Sequence, residues 1–184
     1  MQVVFTKHED RNYSIVVTRS DRIKIQFPGA GKKFLVPHDL SHFIVESKLN
    51  MRQGFWGCCV ANGALLPNMN IIEGRQKPNA KSKSKQIIKD ARQQLRLAEC
   101  LVRVFDEIYT VEPNRVLVQA RQLWQISSEI KPKLSNATIL DVCSTLKAVQ
   151  TNWQAISVGE SIELNWNQKF PSRSLNYANG KQLV

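Results

Sequence analysis

The sequence predicts an α+β fold, in which a small antiparallel sheet packs against about five helices. Segments 14–18 and 22–27 are either rich in β-branched residues or alternate polar with apolar ones, as strands do. After Pro37 the apolar residues recur every three or four positions, which is typical of helices. A final segment, 160–166, alternates again, and we expect it to join the amino-terminal strands because a hairpin alone is marginally stable.

The amino-terminal part of the sheet is predicted from the first 36 residues. Strands are expected at residues 2–6, 14–18 and 22–27. The turn residues Ser20 and Asp21 join the second and third of these as a hairpin. Pro28 and the glycines after it end the pattern, so residues 33–36 form either a short further strand or the lead into a helix. Together with 160–166, the sheet is expected to have about four strands.

The first helix is predicted to run from Pro37 to about residue 49. Proline at the first helical position loses no needed hydrogen bond, and Asp39 lies near the positive end of the helix dipole. A second, apolar helix is expected over 58–66, although a glycine weakens it. Three more helical patterns cover residues 86–109, 114–127 and 137–154. Ser135 and the residues after it are suited to cap the last of these helices.

The chain is predicted to form one domain over residues 1–166, followed by a polar carboxyl-terminal tail over 167–184. Within the domain, residues 67–84 are expected to be a mobile basic loop. Two prolines and a glycine interrupt this segment, and it ends in a repetitive run of lysine and serine that offers nothing to bury.

Composition limits the classes of protein that the chain can belong to. Its 184 residues are 42% hydrophobic, which excludes intrinsic disorder, and 26 Lys and Arg against 15 Asp and Glu give a net charge of +11. The sequence has neither a run of about 18 apolar residues nor the layout of a signal peptide, so a cytoplasmic protein without a membrane partner is expected. The four cysteines form no Cys-x-x-Cys pair, so a zinc–cysteine site is not indicated.

The first predicted helix contains a motif that can carry chemistry, His38-Asp39-Leu40-Ser41-His42. Residues four apart share a helix face, so His38 and His42 are candidate ligands of a divalent metal, with zinc as the first expectation. The motif is the aspartate form of the His-Glu-x-x-His arrangement of zinc proteases. Asp39, or Glu46 one turn beyond His42, would then be the catalytic base of a hydrolytic reaction.

The sequence does not fix a third ligand, and it leaves other roles open for this motif. His8, Glu9 and Asp10 are candidate ligands from outside the helix. The helix is also apolar on both sides, and this pattern favours two hydrogen-bonded core histidines as an alternative to metal ligands. An acid–base site without a metal is a further alternative, and whether the chain is an enzyme stays open at this point.

Three parts of the chain together resemble a group of small uncharacterised bacterial proteins. They are the helix Val36-Pro37-His38-Asp39-Leu40-Ser41-His42-Phe43-Ile44-Val45-Glu46, the segment Gly54-Phe55-Trp56-Gly57, and the later Trp153…Val158-Gly159…Trp166. The resemblance covers about a third of the chain. It implies a bacterial or phage-type cytoplasmic setting and that the helix and the final strand belong to one fold, and it implies no activity.

A second functional hypothesis comes from the basic segment 75–96. Six of its residues are candidates for binding nucleic acid or another polyanion: Lys81, Lys83, Lys85, Lys89, Arg92 and Arg96. The last four are spaced to form a basic stripe along one helix, and such a stripe can neutralise several phosphates. The alternatives are a solvated surface without a ligand and a protein-interaction factor without catalysis.

Overall fold

The computed structural model describes residues 1–30, 35–60, 62–75, 78–110, 112–126, 133–166 and 176–177. Within these ranges the strands are β1 (Gln2–Lys7), β2 (Tyr13–Thr18), β3 (Lys24–Pro28), β4 (Asn70–Glu73), β5 (Ser161–Asn165) and β6 (Asn176–Tyr177). The α-helices are α1 (His38–Lys48), α2 (Ala80–Asp90), α3 (Arg92–Asp106), α4 (Pro113–Ile126) and α5 (Asn136–Ala155). Short 3₁₀ turns at Glu9–Arg11 and Glu107–Tyr109 and a π-helical segment at Phe55–Val60 complete the list. The α+β fold class is confirmed.

The strands form one antiparallel sheet in the order β4-β3-β2-β1-β5-β6. β1 is paired on both sides, with β2 and with β5. The β1–β5 register sets Gln2 opposite Asn165 and Val4 opposite Glu163. The strand predicted at 160–166 is β5, and it joins the amino-terminal sheet as its alternating pattern predicts. The expected number of about four strands is wrong, because β4 and β6 bring the number in the described residues to six.

Alternate residues of the strands are buried on one face of the sheet and form one side of the core. The buried ones are Val3, Phe5, Tyr13, Ile15, Val17, Ile25, Phe27, Ile162 and Leu164. α1 packs on this face, where the Phe5 and Phe43 rings meet edge to face with centroids 6.3 Å apart. The other side of α1 contacts α3 and α5. α1 is thus enclosed on both sides, and its residues from Asp39 to Ser47 are buried.

The helices α1, α4 and α5 begin and end within two residues of their predicted limits. Pro37 directly precedes α1, so His38 is the first helical residue. The hydroxyl oxygen of Ser135 caps α5, because it accepts a hydrogen bond of 3.0 Å from the backbone N–H of Thr138. The sequence patterns that predict these three helices are strong, and packing against the rest of the chain changes the helix limits by no more than two residues.

The segment between α1 and α4 departs from the prediction in two ways. Residues 67–84 contain strand β4 and the beginning of α2, where a loop was expected. Pairing with β3, which sets Ile71 opposite Ile25, makes a strand of four residues that has no clear pattern of its own. The predicted helix 86–109 is instead two helices, because the backbone at Ala91 (φ −86°, ψ −2°) ends α2 before α3 begins.

Three other expectations concern short segments. Over 58–66, the described residues continue the π-helical segment and then turn, so the predicted apolar helix does not form there. Of the possible strand at 33–36, residues 33–34 lie outside the described residues, and Leu35 and Val36 form a bend. The tail beyond residue 166 also lies outside them, except for β6. Across the described residues, every helix is too short or too polar to cross a membrane.

Candidate metal centre

α1 presents His38 and His42 one helical turn apart on the side that meets α3. Their ring centroids are 4.6 Å apart and the ring planes are nearly perpendicular, at 82°. The His38 side chain is partly exposed, whereas only 3% of the surface of His42 reaches solvent. The shared helix face that the four-residue spacing predicts is therefore confirmed.

Glu99 of α3 lies against both imidazoles. One carboxylate oxygen, Oε2, is 3.6 Å from His38 Nε2, and the other, Oε1, is 3.4 Å from His42 Nε2. One ligand atom from each of the three residues lies within 4.8 Å of the other two. Among the described residues, His38, His42 and Glu99 are the one group of at least three metal-ligating side chains whose ligand atoms lie this close together.

Nothing in the sequence around Glu99 marks it as a functional residue. Its position in α3 is next to Ala98, on the edge of the apolar stripe that packs into the core. The carboxylate meets the two imidazoles only because α3 packs against α1. Glu99 could have been identified from the sequence only if the sequence also showed which helix packs on the histidine side of α1.

Glu46 is fully buried and holds His42 from the side opposite Glu99. Its Oε1 lies 3.0 Å from His42 Nδ1 and accepts a hydrogen bond of 2.9 Å from the Phe55 backbone N–H. Its Oε2 accepts one of 2.8 Å from the Trp56 backbone N–H. When Glu46 is ionised it has no proton to donate, and the Nδ1 of His42 is then the donor in their contact. The ring is therefore held with Nε2 facing Glu99.

The loop after α1 is shaped to receive this carboxylate. A Cβ atom on Gly54 would lie 2.4 Å from the carboxylate carbon of Glu46, which is closer than real Cβ contacts come. A side chain at Gly54 would therefore displace Glu46. The absence of a side chain at Gly54 lets Glu46 reach the backbone N–H groups of Phe55 and Trp56. This close approach explains why a glycine precedes them.

The charges of the cluster are coupled. Burial lowers the pKa of His42, but Glu46 and Glu99 on its two sides raise it more, to about 9. The neighbouring His42 ring lowers the pKa of Glu99, while burial raises the pKa of Glu46 despite the donors around it. No described residue offers His42 Nε2 a well-aligned hydrogen bond, although the atom is buried. Once His42 loses the proton on Nε2, this atom can bind a cation beside Glu99.

Asp39 lies in the first turn of α1, and its carboxylate is bound by groups outside this cluster. Its Oδ2 accepts hydrogen bonds of 2.6 Å from the Tyr13 hydroxyl and 2.8 Å from the Ala30 backbone N–H. Its backbone carbonyl accepts another of 2.9 Å from Trp56 Nε1. Burial and the Asp39 charge raise the pKa of Tyr13 far above its usual range. Asp39 thus anchors the start of α1 to β2, and a role for it as a catalytic base stays a prediction.

The other candidate ligands lie elsewhere. His8 Nε2 is 2.7 Å from the hydroxyl of Ser14, and Glu9 and Asp10 belong to the 3₁₀ turn that joins β1 to β2. None of these three belongs to the compact metal-ligating group of the described residues. Glu46 also lies outside that group, because it contacts the far nitrogen of His42.

A cavity of about 270 Å³ lies beside the cluster. It is lined by Phe27, Pro28, Ala30, His38, Asp39, His42, Phe55, Leu66, Asn68, Met69 and Glu99. Most of this lining is apolar, and the three candidate ligands supply much of its polar part. A small molecule in this cavity would lie next to the ligand atoms.

The six basic residues lie on α2 and α3, and all six are exposed. Lys85 and Lys89 belong to α2, whereas Arg92 and Arg96 belong to α3. Because the helix is interrupted at Ala91, the four residues do not form the predicted stripe on a single helix. Binding of nucleic acid by this surface stays a prediction.

Comparison of the chain with protein-family models found no match, and comparisons with curated proteins and with solved structures found none either. The resemblance to small bacterial proteins therefore stays a prediction.

Proposed function

We propose that the chain binds one divalent first-row transition metal ion through His38, His42 and Glu99. The observation that carries the proposal is the compact group of two imidazoles and one carboxylate, with ligand atoms within 4.8 Å of one another. This ligand set suits zinc, and it also suits iron(II) and manganese(II). Zinc is our first candidate because it is common in sites of two histidines and a glutamate.

The surroundings of His42 support this assignment. Histidines that bind metals usually donate their second N–H to a carboxylate or carbonyl, which fixes the ring and makes it a better ligand. Glu46 occupies this position at 3.0 Å, and two backbone N–H groups hold Glu46 in turn. We therefore assign Glu46 as a positioning residue behind the metal ligand.

The number of ligands favours a site that acts on a substrate over a purely structural one. Structural zinc sites have four protein ligands, whereas catalytic sites keep a position for water. The described residues supply three ligands here, beside a cavity of about 270 Å³. A bound metal would lower the pKa of a water molecule coordinated to it. Metal-dependent hydrolases use the resulting hydroxide as their nucleophile. Asp39 lines the same cavity and is our candidate base, with its Oδ2 already held by Tyr13 and Ala30.

Metal content tests the proposal. Untagged protein purified without chelators is expected to contain about one metal ion per chain, and the metal-free protein is expected to take up zinc. His42→Ala should lose this binding. The matched control is His8→Ala, because His8 is the third histidine of the chain and contacts Ser14 outside the cluster.

Two outcomes decide the test. Binding that is lost in His42→Ala and kept in His8→Ala supports the proposal. Zinc binding that is equal in the two variants, or absent from the parent protein, contradicts it. If His42→Ala does not fold, Glu99→Gln replaces it, because 58% of the Glu99 side chain is exposed and its loss leaves the core intact.

A further inference from the structure

A second cavity, of about 790 Å³, lies between α2 and the segment that contains β4. Its lining includes Leu65, Leu66, Ile71 and Ile88, together with Lys81, Ser84 and Lys85 of α2. Its volume lies in the range of known small-molecule sites. Neither the metal proposal nor the polyanion hypothesis accounts for it.

The cavity has an apolar interior. Leu65, Leu66, Ile71 and Ile88 pack against the edge of the core and are only partly buried, so part of their apolar surface also lines the cavity. An alkyl chain placed there would remove this surface from water. This feature favours a ligand with a hydrocarbon part.

Two lysines of α2 give the cavity a positive charge. Lys81 and Lys85 are one helical turn apart, and both are exposed while lining the cavity. The charged groups therefore lie where the cavity meets solvent. No carboxylate of the described residues lines the cavity, so the charge of the two lysines is not balanced there.

The wall of the cavity is held in place by Ser84, which is 4% exposed. Its hydroxyl donates a hydrogen bond of 2.7 Å to the Ala80 carbonyl and accepts one of 3.0 Å from the Leu65 backbone N–H. Ser84 thus joins α2 to the opposite wall. Because the one proton of this hydroxyl is donated to Ala80, it has none left for an anionic ligand, and we assign it no role toward one.

We propose that this cavity binds a free single-chain amphipathic anion, such as a medium-chain carboxylate. The alkyl chain lies among the leucine and isoleucine side chains, and the carboxylate pairs with Lys81 and Lys85. Nucleic acid would use the charges of all six exposed basic residues but would leave the apolar interior unfilled. The combination of cavity and charge therefore favours the amphipathic anion.

Calorimetric titration of the full chain with decanoate tests the proposal. The titration is made with chelator present, so its result does not depend on metal binding. Decanoate should bind at least tenfold more tightly than decanol, which lacks the charge, and than decyltrimethylammonium, which has the opposite charge. Affinity should rise about fourfold for each methylene added between octanoate and decanoate.

A pair of double variants locates the site. Lys81→Gln with Lys85→Gln removes the two lysines that line the cavity, and we expect decanoate binding to weaken at least tenfold. Lys83→Gln with Lys89→Gln removes the same charge from the same helix, but neither residue lines the cavity. This control should bind decanoate as the parent does.

The proposal is overturned by equal losses in the two double variants, by equal binding of the cationic and anionic amphiphiles, or by affinity that does not change with chain length. Binding to phosphatidylglycerol vesicles without binding of decanoate would identify a membrane surface instead. Binding of a single-stranded oligonucleotide that weakens equally in both double variants, again without decanoate binding, would identify the polyanion surface.

Discussion

The helices α1 and α2 have the same length, 11 residues, but use their polar side chains in opposite ways. In α1 the polar residues Asp39, His42 and Glu46 are buried, and each contacts a group from another element. In the fully described α2, Ser84 is the one buried residue, and the lysines face solvent. Most polar groups that are buried have a hydrogen-bond partner, whereas exposed ones are hydrated by water. The site in α1 is therefore held rigidly by its surroundings, while the charges of α2 are free to meet a ligand.

The largest expected effect comes from removing Glu46, which would break the network of α1. Glu46→Ala leaves two backbone N–H groups and His42 Nδ1 without their acceptor, and it creates a space in the core. We expect unfolding free energy to fall by about 3–5 kcal/mol. Urea denaturation followed by circular dichroism measures the change.

Glu99→Ala is the matched control for that prediction. Glu99 contacts the same histidine, but 58% of its side chain is exposed. Its removal should change stability by less than about 1 kcal/mol. Equal effects of the two variants would mean that Glu46 is not the group that holds this region together.

Tyr13→Phe tests the second anchor of α1. The variant removes the hydroxyl that donates to Asp39 Oδ2 at 2.6 Å and leaves the ring in place. We expect a loss of about 1.5–3 kcal/mol, because the bond is buried and its acceptor is charged. Tyr109→Phe is the control, since the Tyr109 hydroxyl makes only a 3.4 Å contact with the Leu146 carbonyl. A larger loss in the control would contradict the prediction.

A smaller effect is expected in α2, where Ser84→Ala removes one hydroxyl. The Leu65 backbone N–H then loses its acceptor, and we expect a loss of about 1 kcal/mol. Ser82→Ala, at an exposed position two residues earlier, should change stability by less than about 0.5 kcal/mol. Thermal denaturation of the two variants measures both changes in stability. Unchanged stability in Ser84→Ala would show that α2 is not attached through this side chain.

The sequence predicts α1, α5 and the final strand because their signals are local. Pro37 before His38, the serine that caps α5, and the alternation of Ser161–Asn165 each act within a few residues. The same is true of the pairing of His38 and His42, which follows from helix geometry alone. These features can be predicted without knowing which helices and strands contact one another.

The rest of the site depends on contacts between distant parts of the chain. Glu99 joins the histidines only because α3 packs on α1, and Glu46 turns away from the cavity because the backbone of Phe55 and Trp56 binds it. β4 forms for a similar reason, since β3 supplies its hydrogen bonds. Local spacing carries no information about any of these contacts.

The central claim is that α1 and α3 together form a metal site, and cobalt(II) titration followed by visible absorption tests it most directly. The parent protein and His8→Ala should bind about one cobalt ion with equal affinity and show the intense bands of a low-coordinate site. Glu99→Gln, which keeps the size of the side chain, should bind cobalt at least tenfold more weakly. Equal cobalt affinity in all three proteins would contradict the claim that Glu99 completes the site.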